Sequence, residues 1–229
     1  MEHTVHPDLS ALLAEISTDL GSFEGAFPLE EFAAKDYRQH PFATLITCCD
    51  ARVPTGIFGN TFNRVFCVEN IGNQVLNSLG SVLYGVLHLH TPLLLVMGHT
   101  DCGAVKAASG DYSGEPDAIQ KELVNVKSSL MAAQTRGVQI IADETPLKWG
   151  QLSEHNVDMQ LERLLAVPQI KQLVDREELT ILGLHLDLHD IYGAGHGKVW
   201  VVNINGEKSE DAMKQKSLPA LASRIKRLL

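Results

Sequence analysis

Two short apolar segments, each followed by a polar loop, constrain the fold of this chain most strongly. Residues 42–48 are rich in Leu, Ile and Thr, and residues 93–97 are almost continuously apolar. Such runs are typical of buried strands in a parallel sheet, where both faces are covered. Cys48 ends the first run, and His99 and Cys102 follow the second. Because open parallel sheets bind ligands beyond the carboxyl ends of their strands, we expect these three side chains to meet at one edge of a sheet.

Strand and helix patterns alternate along the rest of the chain. We predict further strands at residues 65–68, 180–182 and 199–203, and helices at residues 78–89 and 157–165. Residues 110–146 suggest a polar turn, a helix and a loop, and the last strand is a candidate for a sheet edge. Strands separated by helices indicate βαβ units. The sequence therefore predicts an α/β fold, with a single domain over residues 1–229 and a mainly parallel central β-sheet flanked by helices.

An N-terminal helical arm is expected over residues 1–35. Apolar side chains recur at helical spacing over residues 8–20, namely Leu9, Leu12, Leu13, Ile16 and Leu20. This pattern predicts an amphipathic helix. Its apolar face could pack on its own domain or on a partner subunit, and the sequence does not separate the two.

Composition excludes several classes of partner. The formal charge of -9 and the pI near 5.5 would repel a phosphate backbone, and no Lys/Arg stripe offsets this charge, so nucleic acid is not expected as a partner. Polar residues interrupt the most apolar region, so no membrane span is expected. The first residues lack the basic start and apolar run of a secretory signal, which favours a cytoplasmic location.

Four cysteines are present, and two of them have other metal ligands nearby. A chain of this size does not need disulfides for stability, so metal binding is the better interpretation of Cys48 and Cys102. We expect Cys49 and Cys67 to be small buried apolar residues. Two thiolates and one imidazole suit tetrahedral zinc, and three protein ligands leave a fourth position for water. We therefore predict one zinc ion per chain, held by Cys48, His99 and Cys102.

Two motifs around these residues make the signal specific. Residues 48–52 read Cys-Cys-Asp-Ala-Arg, and residues 99–103 read His-Thr-Asp-Cys-Gly. They resemble the C-x-D-x-R and H-x-x-C-G motifs of the β-class carbonic anhydrase family. The turn at residues 70–73 also resembles that family, and the likeness covers residues 39–105 well and residues 154–182 more weakly.

This resemblance implies an enzyme, a carbonate dehydratase. Its reaction would be the reversible hydration of CO2 to bicarbonate and a proton by a zinc-bound hydroxide. Because two thiolates cancel the formal charge of the ion, we expect activity that rises toward alkaline pH. The family also implies a homodimer or a higher even homo-oligomer.

The resemblance assigns roles to Asp50, Arg52 and Gln39, and the missing side chain of Gly103 suggests a role for a fourth residue. Asp50 would accept the hydrogen of the hydroxide, and Arg52 would hold that carboxylate away from the metal by a bidentate contact. Gln39 stands where the family often has a glutamine that binds bicarbonate, although it could equally be a polar loop residue. The backbone at Gly103 is expected to approach the substrate pocket.

Two segments depart from the family pattern. Glu69 replaces a basic residue that in some relatives helps bind regulatory bicarbonate, so we expect an open, water-bound zinc. The segment 183–198 is longer than usual and contains His185, Asp187 and His189. These residues suggest either a second metal site or, in our preferred interpretation, an exposed polar strand face, and a proton-shuttle role stays unassigned.

Two alternative functions remain open at this point. A carbonyl sulfide or carbon disulfide hydrolase would use the same zinc site with a different substrate. A non-catalytic zinc protein would close the metal with Asp50 as a fourth ligand.

Overall fold

A five-stranded sheet forms the centre of the unit that spans residues 40–229. The computed structural model describes residues 8–31 and 37–229. The strands are β1 (Ala43–Cys48), β2 (Val65–Asn70), β3 (Leu93–His99), β4 (Thr180–Asp187) and β5 (Lys198–Ile204). Their order is β2-β1-β3-β4-β5, with parallel pairing throughout except between β4 and β5. The predicted α/β class, the mainly parallel sheet and the edge position of the last strand are confirmed.

Apolar packing on both faces of the sheet explains why these segments are strands. Every residue of β1 is buried, and so is most of β3, as expected for central parallel strands. The register pairs Ala43 with Leu93 and Thr47 with Met97. The two strands therefore end at the same edge, and the loops that follow them lie side by side.

The first helix, α1 (Leu9–Gly25), is separate in the chain from the helices that surround the sheet. The helices of the unit that holds the sheet are α2 (Leu79–Leu83), α3 (Gly103–Ser109), α4 (Asp117–Thr135), α5 (Pro146–Leu165), α6 (Pro168–Asp175), α7 (Glu210–Lys216) and α8 (Pro219–Ala222), and a π-helical turn at Tyr84–His88 extends α2. Helix α5 begins eleven residues earlier than the apolar pattern predicts, because Thr145 caps its N-terminus and Pro146 occupies its first turn. No helix within the described ranges combines the length and apolar character that crossing a membrane requires.

The chain divides into two units between Gln39 and His40. The first unit contains α1, which is longer than the predicted helix over residues 8–20. Apolar side chains along α1 are more than half exposed, namely Leu9, Leu13, Ile16 and Leu20. Residues 1–7 and 32–36 of the predicted arm lie outside the described residues.

Helix α5 carries a buried ion cluster in the second unit. Glu154 is fully buried, and its Oε2 accepts hydrogen bonds from the Tyr192 hydroxyl at 2.6 Å and the Leu228 N–H at 2.9 Å. Arg227 lies 3.2 Å from Glu154 and 2.8 Å from Asp158. Burial raises the pKa of Glu154 to about 7 despite the nearby guanidinium.

This shift predicts a pH-dependent stability. Because the pKa of Glu154 is higher in the folded state than in the unfolded state, its contribution is fully present below about pH 4.5 and is lost as the pH rises through about 7. Between pH 5 and pH 8 the wild type should lose on the order of 3 kcal/mol of unfolding free energy relative to Glu154→Gln. Urea unfolding across this range would measure the difference.

Glu162→Gln is the matched control on the same helix, because Glu162 pairs with Arg136 near the surface. Its unfolding free energy should follow the wild type at every pH. Parallel pH profiles for the wild type and Glu154→Gln would contradict the assignment.

Candidate metal centre

The structure brings Cys48, His99 and Cys102 together at the carboxyl edge of the sheet. Cys48 ends β1, His99 ends β3, and Cys102 directly precedes α3. Their candidate ligand atoms all lie within 4.8 Å of one another, and the residues are 5%, 0% and 1% exposed, respectively. Within residues 8–31 and 37–229, no other set of three His, Cys, Asp or Glu ligand atoms is this close together.

The hydrogen bonds of His99 fit a metal ligand. Its Nδ1 lies 2.9 Å from the Thr100 carbonyl oxygen, so this nitrogen carries the proton and donates it. Its Nε2 is buried and has no hydrogen-bond partner among the described residues. A buried, unpaired nitrogen lone pair is costly unless a cation binds it.

Cys48 and Cys102 shift each other's pKa in opposite directions. The hydrogen bond from the Cys102 thiol lowers the pKa of Cys48, and the same contact, with burial, raises the pKa of Cys102 well above its usual value. A backbone N–H of Gly72 also favours the Cys48 thiolate. A divalent cation would favour the thiolate form of both cysteines, because thiolates are the form that binds metal.

A buried polar network fixes the Gly72 peptide. The Gly72 carbonyl accepts hydrogen bonds from Gln74 Nε2 at 2.6 Å and Asn156 Nδ2 at 3.0 Å. Gly72 has a φ of 73°, and a Cβ there would lie 2.9 Å from Val126 Cγ2, so only glycine fits. Sequence reasoning missed this support. Gln160 Nε2 donates in turn to Asn156 Oδ1 at 3.0 Å. The one available signal was the i,i+4 spacing of these two amide residues, which places them on one face of a helix.

Asp50 lies beside the three candidate ligands. Its Oδ2 is 3.7 Å from His99 Nε2. Arg52 donates from Nε to Oδ1 at 2.9 Å and from Nη2 to Oδ2 at 2.7 Å, and this bidentate contact lowers the pKa of Asp50 to about 2. The carboxylate is therefore ionised, close to the metal position and held by the guanidinium.

The other two predicted site residues are less well placed. Gly103 begins α3 immediately after Cys102, and a Cβ there would meet no atom within 4 Å. Its place beside the substrate stays a prediction. Gln39 is exposed and belongs to the first unit, so its substrate role stays a prediction.

The expectation that Cys49 and Cys67 are buried is wrong. Both cysteines are exposed. Cys49 lies in the loop after β1. Cys67 lies on the edge strand β2. Side chains alternate between the two faces of a strand, so Val68 points inward while its neighbours Cys67 and Glu69 point outward.

The expectation of an exposed polar face over residues 185–189 is also wrong. Strand β4 extends to Asp187, and His185 and Asp187 are 0% exposed. The Asp187 carboxylate accepts the N–H groups of His189, Ile191 and Tyr192, so it fixes the following loop instead of facing solvent. His189 is partly exposed, with its Nδ1 3.2 Å from the Thr100 hydroxyl.

Comparison with known proteins agrees with this site. Residues 43–199 match the sequence model of a family described as carbonic anhydrase. The carbonic anhydrase of Helicobacter pylori strain J99 is 25% identical over 228 residues, covering 85% of this chain and 96% of the relative. The carbonic anhydrase of Mycolicibacterium smegmatis is 33% identical over 115 residues, covering 48% of this chain and 56% of the relative.

Solved structures show the same fold. A Coccomyxa β-carbonic anhydrase in complex with acetazolamide has a TM-score of 0.68 at 24% identity and covers 90% of this chain and 91% of its own. A Sordaria macrospora β-carbonic anhydrase, described as tetrameric, has a TM-score of 0.68 at 21% identity, and the match covers 86% of this chain and 98% of that structure.

The fold and site define an α/β protein with a buried Cys/His/Cys metal-binding group at its sheet edge. The chain belongs to the β-carbonic anhydrase family, a family of enzymes.

Removing one candidate ligand should weaken metal binding. We expect Cys48→Ser to lower zinc affinity by more than about tenfold, because a buried thiolate is replaced by a neutral hydroxyl. Competition with a chromophoric chelator, together with elemental analysis after dialysis, would measure the change. Cys67→Ser on the edge strand is the control and should keep the wild-type affinity. Equal affinity in the two variants would contradict the ligand assignment.

Proposed function

We propose that this chain is a zinc-dependent carbonic anhydrase that catalyses the reversible hydration of CO2 to bicarbonate and a proton. Membership of the β-carbonic anhydrase family supports this reaction. The observation that carries the proposal is the Asp50 carboxylate, held by Arg52 at 3.7 Å from His99 Nε2. A site that only bound a structural ion would need no charged group restrained beside it.

Zinc fits the residues that meet at this edge. Cys48, His99 and Cys102 would hold one ion per chain, since two thiolates and an imidazole are a common zinc ligand set that leaves one position open. When bound, zinc would lower the pKa of a coordinated water enough to supply a nucleophile for CO2 near neutral pH.

The protein's own residues orient the reaction. Because Arg52 keeps the pKa of Asp50 near 2, the carboxylate is a hydrogen-bond acceptor at every physiological pH. It can accept a hydrogen from the attacking oxygen and direct a lone pair toward the substrate carbon. The Arg52 contact also occupies both carboxylate oxygens, which favours an open metal position over one closed by Asp50.

Assembly and location complete the proposal. We propose a homodimer or a higher even homo-oligomer, supported by the exposed apolar side chains of α1 and by the relative described as tetrameric.

We also propose a cytoplasmic location. The four cysteines within the described residues are all free, and two are exposed, as is usual in a reducing compartment.

Replacing Asp50 tests the proposed chemistry. We expect Asp50→Asn to lower kcat for CO2 hydration by about a hundredfold while zinc content stays the same, because the amide is a weaker acceptor and can present a donor instead. Stopped-flow hydration with a pH indicator would measure the rate. Asp111→Asn is the control, since Asp111 is exposed and only caps a loop.

Three outcomes would count against the proposal. Equal kcat in the wild type and Asp50→Asn would remove the role of the carboxylate. Hydrolysis of carbonyl sulfide without CO2 hydration would favour the alternative substrate. Absence of both activities in zinc-loaded protein would favour a non-catalytic site.

A further inference from the structure

Arg52 lies between two acidic residues, and the family motif accounts for only one of them. On one side it binds Asp50. On the other side, its Nη1 donates to Asp101 Oδ2 at 3.0 Å and its Nη2 donates to the Asp101 carbonyl oxygen at 3.1 Å. The Arg52 side chain is 47% exposed, so burial alone does not fix its position. The second pair of contacts gives the guanidinium a fixed orientation.

The backbone at Asp101 directs both acceptors at Arg52. Asp101 has a φ of 61°, the left-handed region that non-glycine residues seldom adopt. Such strained conformations persist where the surrounding structure holds them and are frequent at functional sites. In this conformation the carbonyl and the carboxylate of one residue both reach the same guanidinium.

The end of β4 holds this turn in place. The Thr100 N–H donates to the Leu186 carbonyl at 2.9 Å, and the Leu188 N–H donates to the Thr100 hydroxyl at 2.8 Å. The turn therefore rests on the sheet through Thr100, directly before Asp101. Contacts other than those with Arg52 therefore anchor the backbone directly before Asp101.

Lys106 and His189 also lie beside the Asp101 carboxylate. Its Oδ1 accepts a hydrogen bond from the Lys106 ammonium, and its Oδ2 is 3.9 Å from His189 Nε2. Lys106 is on α3, one helical turn after Gly103, and His189 is on the loop after β4. Two separate elements, α3 and the loop after β4, thus place polar groups around the carboxylate that faces Arg52.

We propose that Asp101 is a positioning residue that holds Arg52 in its bidentate contact with Asp50 and thereby keeps Asp50 away from the metal. Asp50 Oδ2 is only 3.7 Å from His99 Nε2, so a small movement would let the carboxylate compete for the open position. This inference rests on the zinc site of the proposed function. It assigns a role to a residue outside the ligand set and the Asp50–Arg52 pair.

The test measures access to the metal and not turnover. In Co2+-substituted protein at pH 8, azide binding to the open position changes the visible absorption spectrum. We expect Asp101→Asn to weaken azide binding by about fivefold, the size expected from losing one partly exposed charged contact. Asn tolerates the left-handed backbone and keeps the carbonyl acceptor, so the substitution removes mainly the charge.

Two control variants give the experiment its specificity. Asp190→Asn replaces another aspartate in the left-handed region, with a φ of 57°, and should keep wild-type azide affinity. In an Asp50→Ala background, Asp101→Asn should have no further effect on azide binding, because the competing carboxylate is gone. Thermal unfolding of each variant would verify that the fold is retained.

Two results would overturn the proposal. One is unchanged azide affinity in folded Asp101→Asn, and the other is an equal loss with and without Asp50. Both comparisons use metal-loaded protein and no CO2. A wild type that binds Co2+ and azide but does not hydrate CO2 would therefore contradict the proposed function and leave the role of Asp101 intact.

Discussion

The parallel pairing of β1 with β3 is the constraint on which the site depends. It aligns two buried strands so that Cys48 ends one and His99 ends the other at the same edge of the sheet. No local interaction could bring together residues about fifty positions apart in the chain. The apolar side chains that hold these strands in the core therefore also assemble the metal-binding group.

Polar contacts around this group convert a ligand set into a site with defined chemistry. The Gly72 N–H favours the Cys48 thiolate, and the Thr100 carbonyl fixes the proton of His99 on Nδ1. Arg52 keeps Asp50 ionised beside the ligands. Each contact comes from a different loop or turn, so the chemistry of the site depends on the precision of the whole sheet edge.

Much of this arrangement was predictable from the sequence because it depends on local patterns. The two apolar runs and their motifs indicated the central strands, the three candidate ligands and the Asp50–Arg52 pair. The errors arose where burial depends on distant residues. Cys67 has an apolar neighbour on each side, yet it is exposed because β2 is an edge strand. Asp187 looks like a surface residue, yet it is buried because its carboxylate caps the next loop.

A crystal structure of the native protein at pH 8, with data collected on both sides of the zinc absorption edge, would test the central claim most directly. We predict one anomalous peak per chain bonded to Cys48 Sγ, His99 Nε2 and Cys102 Sγ, with Asp50 still held by Arg52. A peak elsewhere, a disulfide between the two cysteines, or Asp50 bound to the metal at this pH would contradict the account.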